Sequence, residues 1–476
     1  AKRGGGGGAG GGMQVRILTF NVWNIPVAQH TRARIDGLAK VLRENKDQLD
    51  VVGLLECWME RDRNALIAAG KEGGLAHHIF FRNGCGFPGG QSSGLVVLSR
   101  WPIENTFYHR FTAAGKAQKV LHWDYSLYSG KGIGLVQING PPQVGPIDFY
   151  ISHFVAYYTP RPEQEGHDEY MYHRRLGAWE AARFIRSTAR KGSFVACAVD
   201  LNADPSTLTA KALTGLTGLQ DAWAEAGRAR QGALPEALDE VEAKGLTCNY
   251  AGNCYFENNQ WIASGEPSAR VDYILFSKSE RIAIDWCERR FSGADDTEAV
   301  VSLSDHSAVM ACFSVQDEHQ TRSLATGEER PARRKSFSSA EPGVPAELLD
   351  ELAKSAQGGI RCAERRRAIA VRKAIVFAIV SFLALFVPFS FNFELTTCTL
   401  LLQFALCAGF ALSGYSYFIL ANITIMDDRS AMMYMLESVA FQKAHLFGDR
   451  DSAATAAAAA SKPETPLIKA IKSLGK

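Results

Sequence analysis

Eight polar side chains suited to phosphate chemistry lie at or beside the ends of predicted β-strands. They are two histidines, one glutamate, three aspartates and two asparagines: Asn21, Glu56, His153, Asp200, Asn202, Asp272, Asp305 and His306. A single carboxylate at a strand end often caps a turn, but caps do not explain eight such residues. The pattern therefore predicts that these side chains converge in one pocket.

The types of these side chains restrict the chemistry. Oxygen donors without a cysteine-rich or histidine-rich spacing indicate Mg²⁺, which takes one or two carboxylates together with waters and phosphate oxygens. Two histidines can supply a general base and a general acid near neutral pH, and asparagine amides can donate to phosphoryl oxygens. The set predicts metal-assisted hydrolysis of a phosphodiester or a phosphomonoester.

Short apolar runs alternate with helical patterns over residues 15–315. Several runs are apolar at consecutive positions, as expected for strands buried on both faces. The predicted strands are Val15–Phe20, Val51–Leu55, Gly94–Ser99, Ile133–Ile138, Asp148–His153, Phe194–Val199, Val271–Phe276 and Ala308–Phe313. Helices are predicted at Ala33–Asn45 and Glu169–Ala189. We expect an α/β (α+β) fold with four layers, in the order helix, sheet, sheet, helix.

Composition narrows the class of protein. The 476 residues carry 52 Lys+Arg against 50 Asp+Glu, and 46% of them are apolar. This apolar content excludes disorder throughout, and the balanced charge argues against a nucleic-acid partner. The ten cysteines are scattered without a CxxC pair, so free thiols in a reducing compartment are expected.

The apolar residues are concentrated near the C-terminus. Glu394 is the one charged residue among the 53 from Ala374 to Met426. Two apolar runs of 18 and 23 residues flank the short break NFELTT, and each is long enough to cross a bilayer core of roughly 30 Å. We predict a two-helix transmembrane hairpin; the alternative is a buried helix pair in a soluble domain.

Basic residues precede the first run: Arg361, Arg365, Arg366, Arg367, Arg372 and Lys373. They predict that both ends of the hairpin are cytosolic.

Five segments follow from these patterns. Residues 1–12 are a flexible Gly-rich N-terminus without the apolar stretch of a signal peptide, and 13–315 form the catalytic domain. Residues 316–372 are a linker and basic juxtamembrane segment, in which RRKSF predicts a kinase site at Ser336. The hairpin spans 373–421 and the cytosolic tail 422–476, with an amphipathic helix expected at Met432–Phe447.

Several motifs carry a resemblance to a known family. LTFNVW, VVGLLE, ISH, VDLNADP, RVDYILF and SLSDH occur in that order, and they resemble the exonuclease–endonuclease–phosphatase superfamily. Its deoxyribonuclease-like fold is a sandwich of two β-sheets flanked by helices. FNVWNIP, SSGLVVLSRWPI, YHRRLGAWEAARFI and SGKGIGL are similar to the neutral sphingomyelinases that have a C-terminal membrane hairpin. The resemblance covers about residues 13–315, and the layout of the tail agrees with it.

The resemblance implies a role for each site residue. Glu56 would bind Mg²⁺, with Asn21 assisting at the metal or phosphate and Asp305 supporting the metal. His306 would be the general base, and Asp272 would hold its ring and tautomer. The remaining three residues would act on the reacting groups. Asp200 would orient the nucleophile, Asn202 would stabilise the phosphoryl oxygens, and His153 would assist the leaving group.

One motif departs from the family pattern. Ser129-Gly130-Lys131-Gly132 resembles the Gly-Lys element of these sphingomyelinases, so Lys131 is expected to contact phosphate or anionic lipid. The family places an aspartate five residues before this lysine. Here Ser126 stands at that position and Asp124 lies two residues earlier, which puts an Asp–Lys switch in doubt.

The resemblance implies a phospholipase C that hydrolyses sphingomyelin to ceramide and phosphocholine at a membrane surface. The arginine cluster before the first apolar run favours anionic phospholipid as an activator; the alternative is that these arginines only set the topology. Alternatives within the same class are an inositol phosphosphingolipid or a lyso-choline phospholipid as substrate. An inositol-polyphosphate phosphatase or a nuclease on the same fold is more distant, as is a non-catalytic membrane scaffold. Short apolar spans favour the endoplasmic reticulum or another endomembrane.

Overall fold

The structure is a computed structural model that describes residues 13–46, 48–82, 92–116, 129–159, 161–229, 240–256, 268–291, 301–315, 343–386 and 396–447. The chain divides into two compact units. The first comprises residues 1–114 and 125–345, and the second comprises 115–124 and 346–476. Each unit is described by itself below.

Two six-stranded sheets form the first unit. One contains β1 (Met13–Asn24), β2 (Val51–Cys57), β3 (His77–Phe80), β4 (Val96–Ser99), β11 (Ile282–Arg290) and β12 (Ala308–Val315). The other contains β5 (Ile103–Arg110), β6 (Gly132–Asn139), β7 (Pro146–His153), β8 (Phe194–Asp200), β9 (Gln220–Asp221) and β10 (Asp272–Phe276). The strand orders are β11-β12-β1-β2-β4-β3 and β5-β6-β7-β8-β10-β9. Both sheets are mixed, because β1–β2 and β7–β8 are parallel pairs among antiparallel ones.

Six helices pack around these sheets in the described part of the unit. They are α1 (Thr31–Glu44), α2 (Glu60–Glu72), α3 (Met171–Thr188), α4 (Leu208–Thr217), α5 (Ala222–Ala229) and α6 (Glu240–Lys244). Between the sheets, Ile17 of β1 and Ile151 of β7 belong to one buried apolar cluster. On the other face of β1, Leu18 packs in a cluster with Leu38 of α1. On the second sheet, the ring of Tyr150 meets that of Phe184 in α3 at 6.1 Å. Layers of helix, sheet, sheet and helix result.

The eight predicted strands and the two predicted helices are confirmed, with ends shifted by a few residues. Four strands were not predicted: β3, β5, β9 and β11. Each lies at an edge of its sheet. An edge strand is half exposed and carries polar residues, as in IENTFYHR of β5, so it lacks the consecutive apolar positions that marked the interior strands. The nine cysteines among the described residues are free thiols, as predicted.

Long helices form the second unit. They are α7 (Ala346–Ala384), α8 (Thr397–Ile419) and α9 (Ile425–Phe447), and a π-helical turn at Leu420–Thr424 joins the last two. α7 runs antiparallel to the others. Gln403 Nε2 donates to the carbonyl oxygen of Leu385 at 2.8 Å, and Arg366 pairs with Asp428 at 3.0 Å. Farther along, Lys443 pairs with Asp350 at 2.8 Å.

The predicted linker differs from the structure over its second half. From Ala346 onward the chain is one continuous helix of 39 residues, not an extended tether. The sequence AELLDELAKSA favours helix, and Leu349 and Leu352 are buried together with Met435 and Val439 of α9. The predicted helix Met432–Phe447 is part of α9. Residues 316–342, which include Ser336, lie outside the described residues.

Within the described part of the chain, one helical stretch is long and apolar enough to cross a membrane. It runs through Thr397–Phe447, and little of its apolar window is buried. Length and composition alone support this assignment. Residues 387–395, where the turn of the predicted hairpin falls, are not among those described.

Candidate active site

The strand registers bring the predicted site residues to the same end of the sandwich, where the strands that carry them begin or stop. In the first sheet, Asn21 lies opposite Leu55, the neighbour of Glu56. In the second sheet, His153 lies opposite Asp200, and Asp200 lies opposite Asp272. Because the two sheets share one core, polar ends from both meet beyond it.

A carboxylate cluster occupies one side of this site. The Nδ2 amide of Asn21 donates to Glu56 Oε1 at 3.2 Å and to Asp200 Oδ2 at 3.0 Å. Its Oδ1 accepts from the backbone N–H of Trp23 at 3.0 Å, which fixes the orientation of the amide. Glu56 has a φ of 56°, a left-handed conformation that is costly for a residue with a side chain. Asn21 therefore joins carboxylates from two different sheets.

His153 lies against the same carboxylates. Its Nε2 is 3.6 Å from both Glu56 Oε1 and Asp200 Oδ2. Burial, together with Lys131 and His306, holds the pKa of His153 well below its ordinary value. Its Nδ1 is buried without a hydrogen-bond partner among the described residues. The ring is therefore neutral near pH 7 and has a nitrogen left to bond.

A second pair, Asp272 and His306, forms the other side of the site. Asp272 Oδ2 is 2.8 Å from His306 Nδ1, and both side chains are buried. The Thr247 hydroxyl oxygen accepts from the backbone N–H of Asp272 at 3.1 Å and so fixes the strand there. Burial disfavours the charged ring, but the Cys248 sulfur and the Asp272 carboxylate outweigh it and raise the pKa of His306 well above its ordinary value. The pair has the geometry of a base held by a carboxylate.

The side chains of the carboxylate cluster have too few positively charged neighbours to offset their negative charge. Burial and the neighbouring Asp272 raise the pKa of Asp200 to about 7. Burial, together with Glu56, raises the pKa of the half-buried Asp305 to about 6. Ser304 Oγ lies 3.2 Å from Asp305 Oδ1, but its single proton is donated to the nearer carbonyl oxygen of Asn21 at 2.6 Å. Carboxylates held in this way favour a cation among them.

Asn202 and Lys131 share one acceptor beneath the site. Asn202 Nδ2 donates to the carbonyl oxygen of Phe154 at 3.1 Å, and Lys131 Nζ donates to the same oxygen at 2.8 Å. Asn202 has a φ of 48°, and its backbone N–H donates to Asp200 Oδ1 at 2.9 Å. Lys131 is buried beside the carbonyl that follows His153 and does not lie on an exposed loop. Ser126 and Asp124 fall outside the described residues.

Two groups of side chains could hold a metal ion. The ligand atoms of Asp200, Asp272 and His306 lie within 4.8 Å of one another. The predicted group is Glu56 with Asn21 and Asp305. In the first group, Asp272 and His306 already bond each other, which leaves fewer free donors there. The oxygen-rich donors and the raised pKa values of Asp200 and Asp305 both fit a hard divalent cation.

The structure thus brings all nine sequence-predicted residues into one connected region. Sequence reasoning missed Thr247 and Ser304. Ser304 Oγ donates to the carbonyl oxygen of Asn21 at 2.6 Å and is the neighbour of Asp305 in SLSDH. Nothing in the residue types of these two marked them out, because serine and threonine are common in every turn.

Comparison with known proteins defines the class. The family described as "Endonuclease/Exonuclease/phosphatase family" matches residues 18–306, which is more than half of the chain. This chain belongs to the endonuclease/exonuclease/phosphatase family. That membership accounts for the two-sheet sandwich with its polar site at the strand ends.

The relatives that match this chain carry the names of enzymes that cleave sphingolipids. The chain is 28% identical over 301 residues to "Putative neutral sphingomyelinase" of Drosophila melanogaster, covering 63% of this chain and 60% of that protein. It is 30% identical over 311 residues to "Sphingomyelin phosphodiesterase 2" of Homo sapiens, covering 64% and 65%. It is 28% identical over 330 residues to "Inositol phosphosphingolipids phospholipase C" of Saccharomyces cerevisiae, covering 63% and 64%. The matches therefore span less than two thirds of these relatives, and the predicted similarity to neutral sphingomyelinases is confirmed.

A solved structure was also found. The endonuclease/exonuclease/phosphatase family protein from Leptotrichia buccalis is 19% identical, with a TM-score of 0.42. The match covers 62% of this chain and 98% of that one.

Proposed function

We propose that this protein is a Mg²⁺-dependent phosphodiesterase of phospholipase C type, which hydrolyses sphingomyelin to ceramide and phosphocholine at a membrane surface. The observation that carries the proposal is the Asp272–His306 pair beside the Glu56–Asn21–Asp200 cluster. Such a pair can activate water, and the carboxylate cluster fits a cation for the phosphate. The names of the relatives supply the substrate class.

His306, in its neutral form, is the general base of the proposed reaction; a bound divalent cation would favour that form by lowering the pKa that Cys248 and Asp272 raise. Its Nδ1 is engaged by Asp272 at 2.8 Å, so Nε2 is the nitrogen that accepts a proton from the attacking water. The water oxygen forms a bond to phosphorus, and the bond from phosphorus to the ceramide oxygen breaks. The leaving oxygen takes up a proton from solvent and departs as the ceramide hydroxyl, and His306 afterwards releases the proton it accepted to solvent. Asp200, next to this pair, orients the nucleophile.

Glu56 would hold the Mg²⁺ ion, with Asn21 and Asp305 supporting it. A bound Mg²⁺ ion would neutralise charge on the phosphate oxygens during attack. Glu56 suits this role because its carboxylate is about one-fifth exposed, at 19%, and so can be reached from the site. Asn21 fixes the distance between Glu56 and Asp200, since its amide bonds to both.

The leaving-group side is assigned to His153 and Asn202. His153 keeps an unpartnered, buried Nδ1 in the described structure, and Asn202 offers an amide next to Asp200 for the phosphoryl oxygens. Lys131 lies on the same side and would contribute positive charge towards a phosphate. Its bond to the Phe154 carbonyl at 2.8 Å would compete with that contact.

We further propose that 373–421 forms a two-span hairpin that keeps both the catalytic unit and the tail in the cytosol, in the endoplasmic reticulum or another endomembrane. Supporting observations are the antiparallel packing of α7 on α8, with Ser381 Oγ donating to the Cys407 carbonyl oxygen at 2.9 Å, and the outward-facing apolar side chains. Leu401 and Phe404 are 64% and 73% exposed. A glycosylation acceptor inserted in the predicted turn should be modified, whereas one inserted at residue 340 should not. Modification of both would contradict two spans.

Basic residues at the start of the hairpin support a second lipid contact. Arg365, Arg372 and Lys373 stand beside Arg366, which pairs with Asp428. We propose that this cluster attracts anionic phospholipid, which would activate the enzyme by bringing it to its substrate. Nucleic acid is not a proposed partner.

One alternative substrate has a specific observation in its favour. The relative from Saccharomyces cerevisiae is named for inositol phosphosphingolipids and is as similar, at 28% identity, as the one from Drosophila melanogaster. The same site would then cleave the same bond beside an inositol headgroup. A lyso-choline phospholipid is a third substrate of this type.

A headgroup-resolved lipid assay tests the proposal. The purified full-length chain in mixed micelles receives sphingomyelin, an inositol phosphosphingolipid, lysophosphatidylcholine or DNA, each with Mg²⁺ or with EDTA. We expect phosphocholine release from sphingomyelin with Mg²⁺ alone. Preferred cleavage of the inositol lipid would establish the alternative. Cleavage of DNA without any lipid turnover would contradict both.

A further inference from the structure

Arg34 is a fully buried cation, and it is not one of the predicted site residues. It lies in the first turn of α1 with 0% of its surface exposed. Its guanidinium donates to four backbone carbonyl oxygens. These are Val22 at 2.8 Å, Trp23 at 2.9 Å, Gln29 at 2.9 Å and Leu303 at 3.3 Å. A buried arginine bound to carbonyls instead of carboxylates is unusual, because an ion pair would offset its desolvation more fully.

Three of the four carbonyls, those of Val22, Trp23 and Leu303, belong to the two segments that carry site residues. Val22 and Trp23 follow Asn21 on β1, at a bulge where Trp23 has a φ of 46°. Leu303 precedes Asp305 and His306 by two and three residues. Because the guanidinium is planar and its five N–H groups have fixed directions, it sets the spacing between these segments. Ser304 joins the same two segments through its bond to the Asn21 carbonyl oxygen at 2.6 Å.

Aromatic rings and site carboxylates complete the surroundings of Arg34. The guanidinium carbon lies 4.9 Å from the ring centroid of Trp23 and 5.8 Å from that of Tyr255. Burial lowers the pKa of Arg34, while Tyr255, Asp305 and Glu56 raise it. Arg34 in turn lowers the pKa of Asp305. The cation is thus held behind the carboxylate cluster.

We propose that Arg34 is a positioning residue for the metal side of the site: it fixes the end of β1 against the 303–306 loop, so that Asn21 and Asp305 keep the spacing that binds Mg²⁺. This inference rests on the proposed function. This positioning role differs from a purely structural one. A small change in the geometry of the Arg34 guanidinium should weaken Mg²⁺ binding more than it lowers the stability of the fold.

The test compares Arg34→Lys with Arg100→Lys in the full-length chain. Lysine keeps the charge but cannot bond several carbonyls at fixed angles. Arg100 is the matched control, because it also binds a backbone carbonyl, that of Leu49 at 2.8 Å, and the Asp50 carboxylate at 2.8 Å. These contacts lie at the start of β2, away from the strand ends that form the site. Both variants are compared with the wild type in lipid turnover and in Mg²⁺-induced stabilisation.

Tryptophan fluorescence provides the second readout. Seven of the eight tryptophans lie in the first unit, and Trp123 falls in the 115–124 segment of the second, so thermal melting followed in this way reports mainly on the first unit. The Mg²⁺ concentration that gives half of the stabilisation should rise about 10- to 100-fold in Arg34→Lys, and kcat should fall by a similar factor. KM for the lipid should change little. Arg100→Lys should stay within about twofold in all three quantities.

A second variant covers the case in which Arg34→Lys does not fold. Ser304→Ala removes the smaller link between the same segments and should shift the Mg²⁺ dependence in the same direction. Equal Mg²⁺ dependence in wild type, Arg34→Lys and Ser304→Ala would overturn this inference alone. A wild type that Mg²⁺ does not stabilise would overturn the proposed function instead.

Discussion

The two sides of the site differ in how their charges are balanced. Asp272 Oδ2 and His306 Nδ1 bond each other at 2.8 Å, while Asp272 Oδ1 has no hydrogen-bond partner among the described residues. Glu56 and Asp200 share the neutral amide of Asn21 and lie 3.6 Å from the Nε2 of His153, whose pKa is lowered, and the pKa of Asp200 rises to about 7 because of burial and the nearby Asp272. One side therefore pairs a carboxylate with a histidine whose pKa is raised, whereas the carboxylates of the other side bond only neutral groups among the described residues. On this difference rests our proposal that proton transfer belongs to the first side and the cation to the second.

The largest expected effect is on the paired side. His306→Ala removes the proposed base, so kcat should fall by about 10³-fold or more in the lipid assay. The Mg²⁺ concentration for half-maximal stabilisation should stay unchanged, because the ring is not on the metal side. His109→Ala is the matched control, since His109 also pairs with a carboxylate, Glu180 at 3.2 Å, outside the site. A parallel loss of Mg²⁺ stabilisation in His306→Ala would place the metal at His306.

On the carboxylate side we expect a smaller loss of activity together with weaker Mg²⁺ binding. Glu56→Gln keeps the shape of the side chain but removes its charge, so kcat at fixed Mg²⁺ should fall about 10²-fold. The Mg²⁺ concentration for half-maximal stabilisation should rise by more than about tenfold. Glu180→Gln makes the same replacement at a buried acid outside the site. If the Mg²⁺ titrations of Glu56→Gln and the wild type coincide, Glu56 is not the ligand.

The smallest expected effect is on the melting temperature of the metal-free protein. Asp305 has a folded-state pKa of about 6, raised from 3.8 by burial and by Glu56. Its ionised form therefore destabilises the fold above pH 6, and the destabilisation declines as the pH falls towards 4. In EDTA at pH 8, Asp305→Asn should raise the melting temperature by about 2 °C. The gain should shrink at pH 5.

A buried aspartate with a partner provides the contrast for this measurement. Asp148 is fully buried, but it pairs with Arg190 at 2.7 Å and accepts from Ser193 at 2.7 Å. Asp148→Asn should therefore lower the melting temperature in EDTA at pH 8. A lower melting temperature for Asp305→Asn as well would show that the carboxylate side does not lack positive charge.

The interior of the sandwich could be predicted from the sequence, and its edges could not. Strands such as β2 and β8 are buried along almost their whole length, so their sequences are continuously apolar. The eight site residues at strand ends could be found because each stands at or beside one end of such a run. The four edge strands have no comparable signal, since one side of each faces solvent or loops.

Tertiary contacts determine the features that sequence patterns could not reveal. Arg34 stands in an amphipathic helix, where an arginine usually faces water, and only the surrounding fold buries it. The helix that replaces the second half of the predicted linker is likewise stabilised by packing of α7 on α9. Its ion pairs, such as Lys443 with Asp350, join residues 93 positions apart and leave no local pattern.

The position of the metal tests the central assignment most directly. Crystals of the full-length chain soaked in Mn²⁺, which replaces Mg²⁺ and scatters anomalously, would locate the ion against its ligands. We expect an anomalous peak at direct ligation distance, about 2 Å, from the Glu56 carboxylate, with the Asp272–His306 bond intact. A peak bound to His306 and Asp272 instead, with Glu56 unligated, would contradict it.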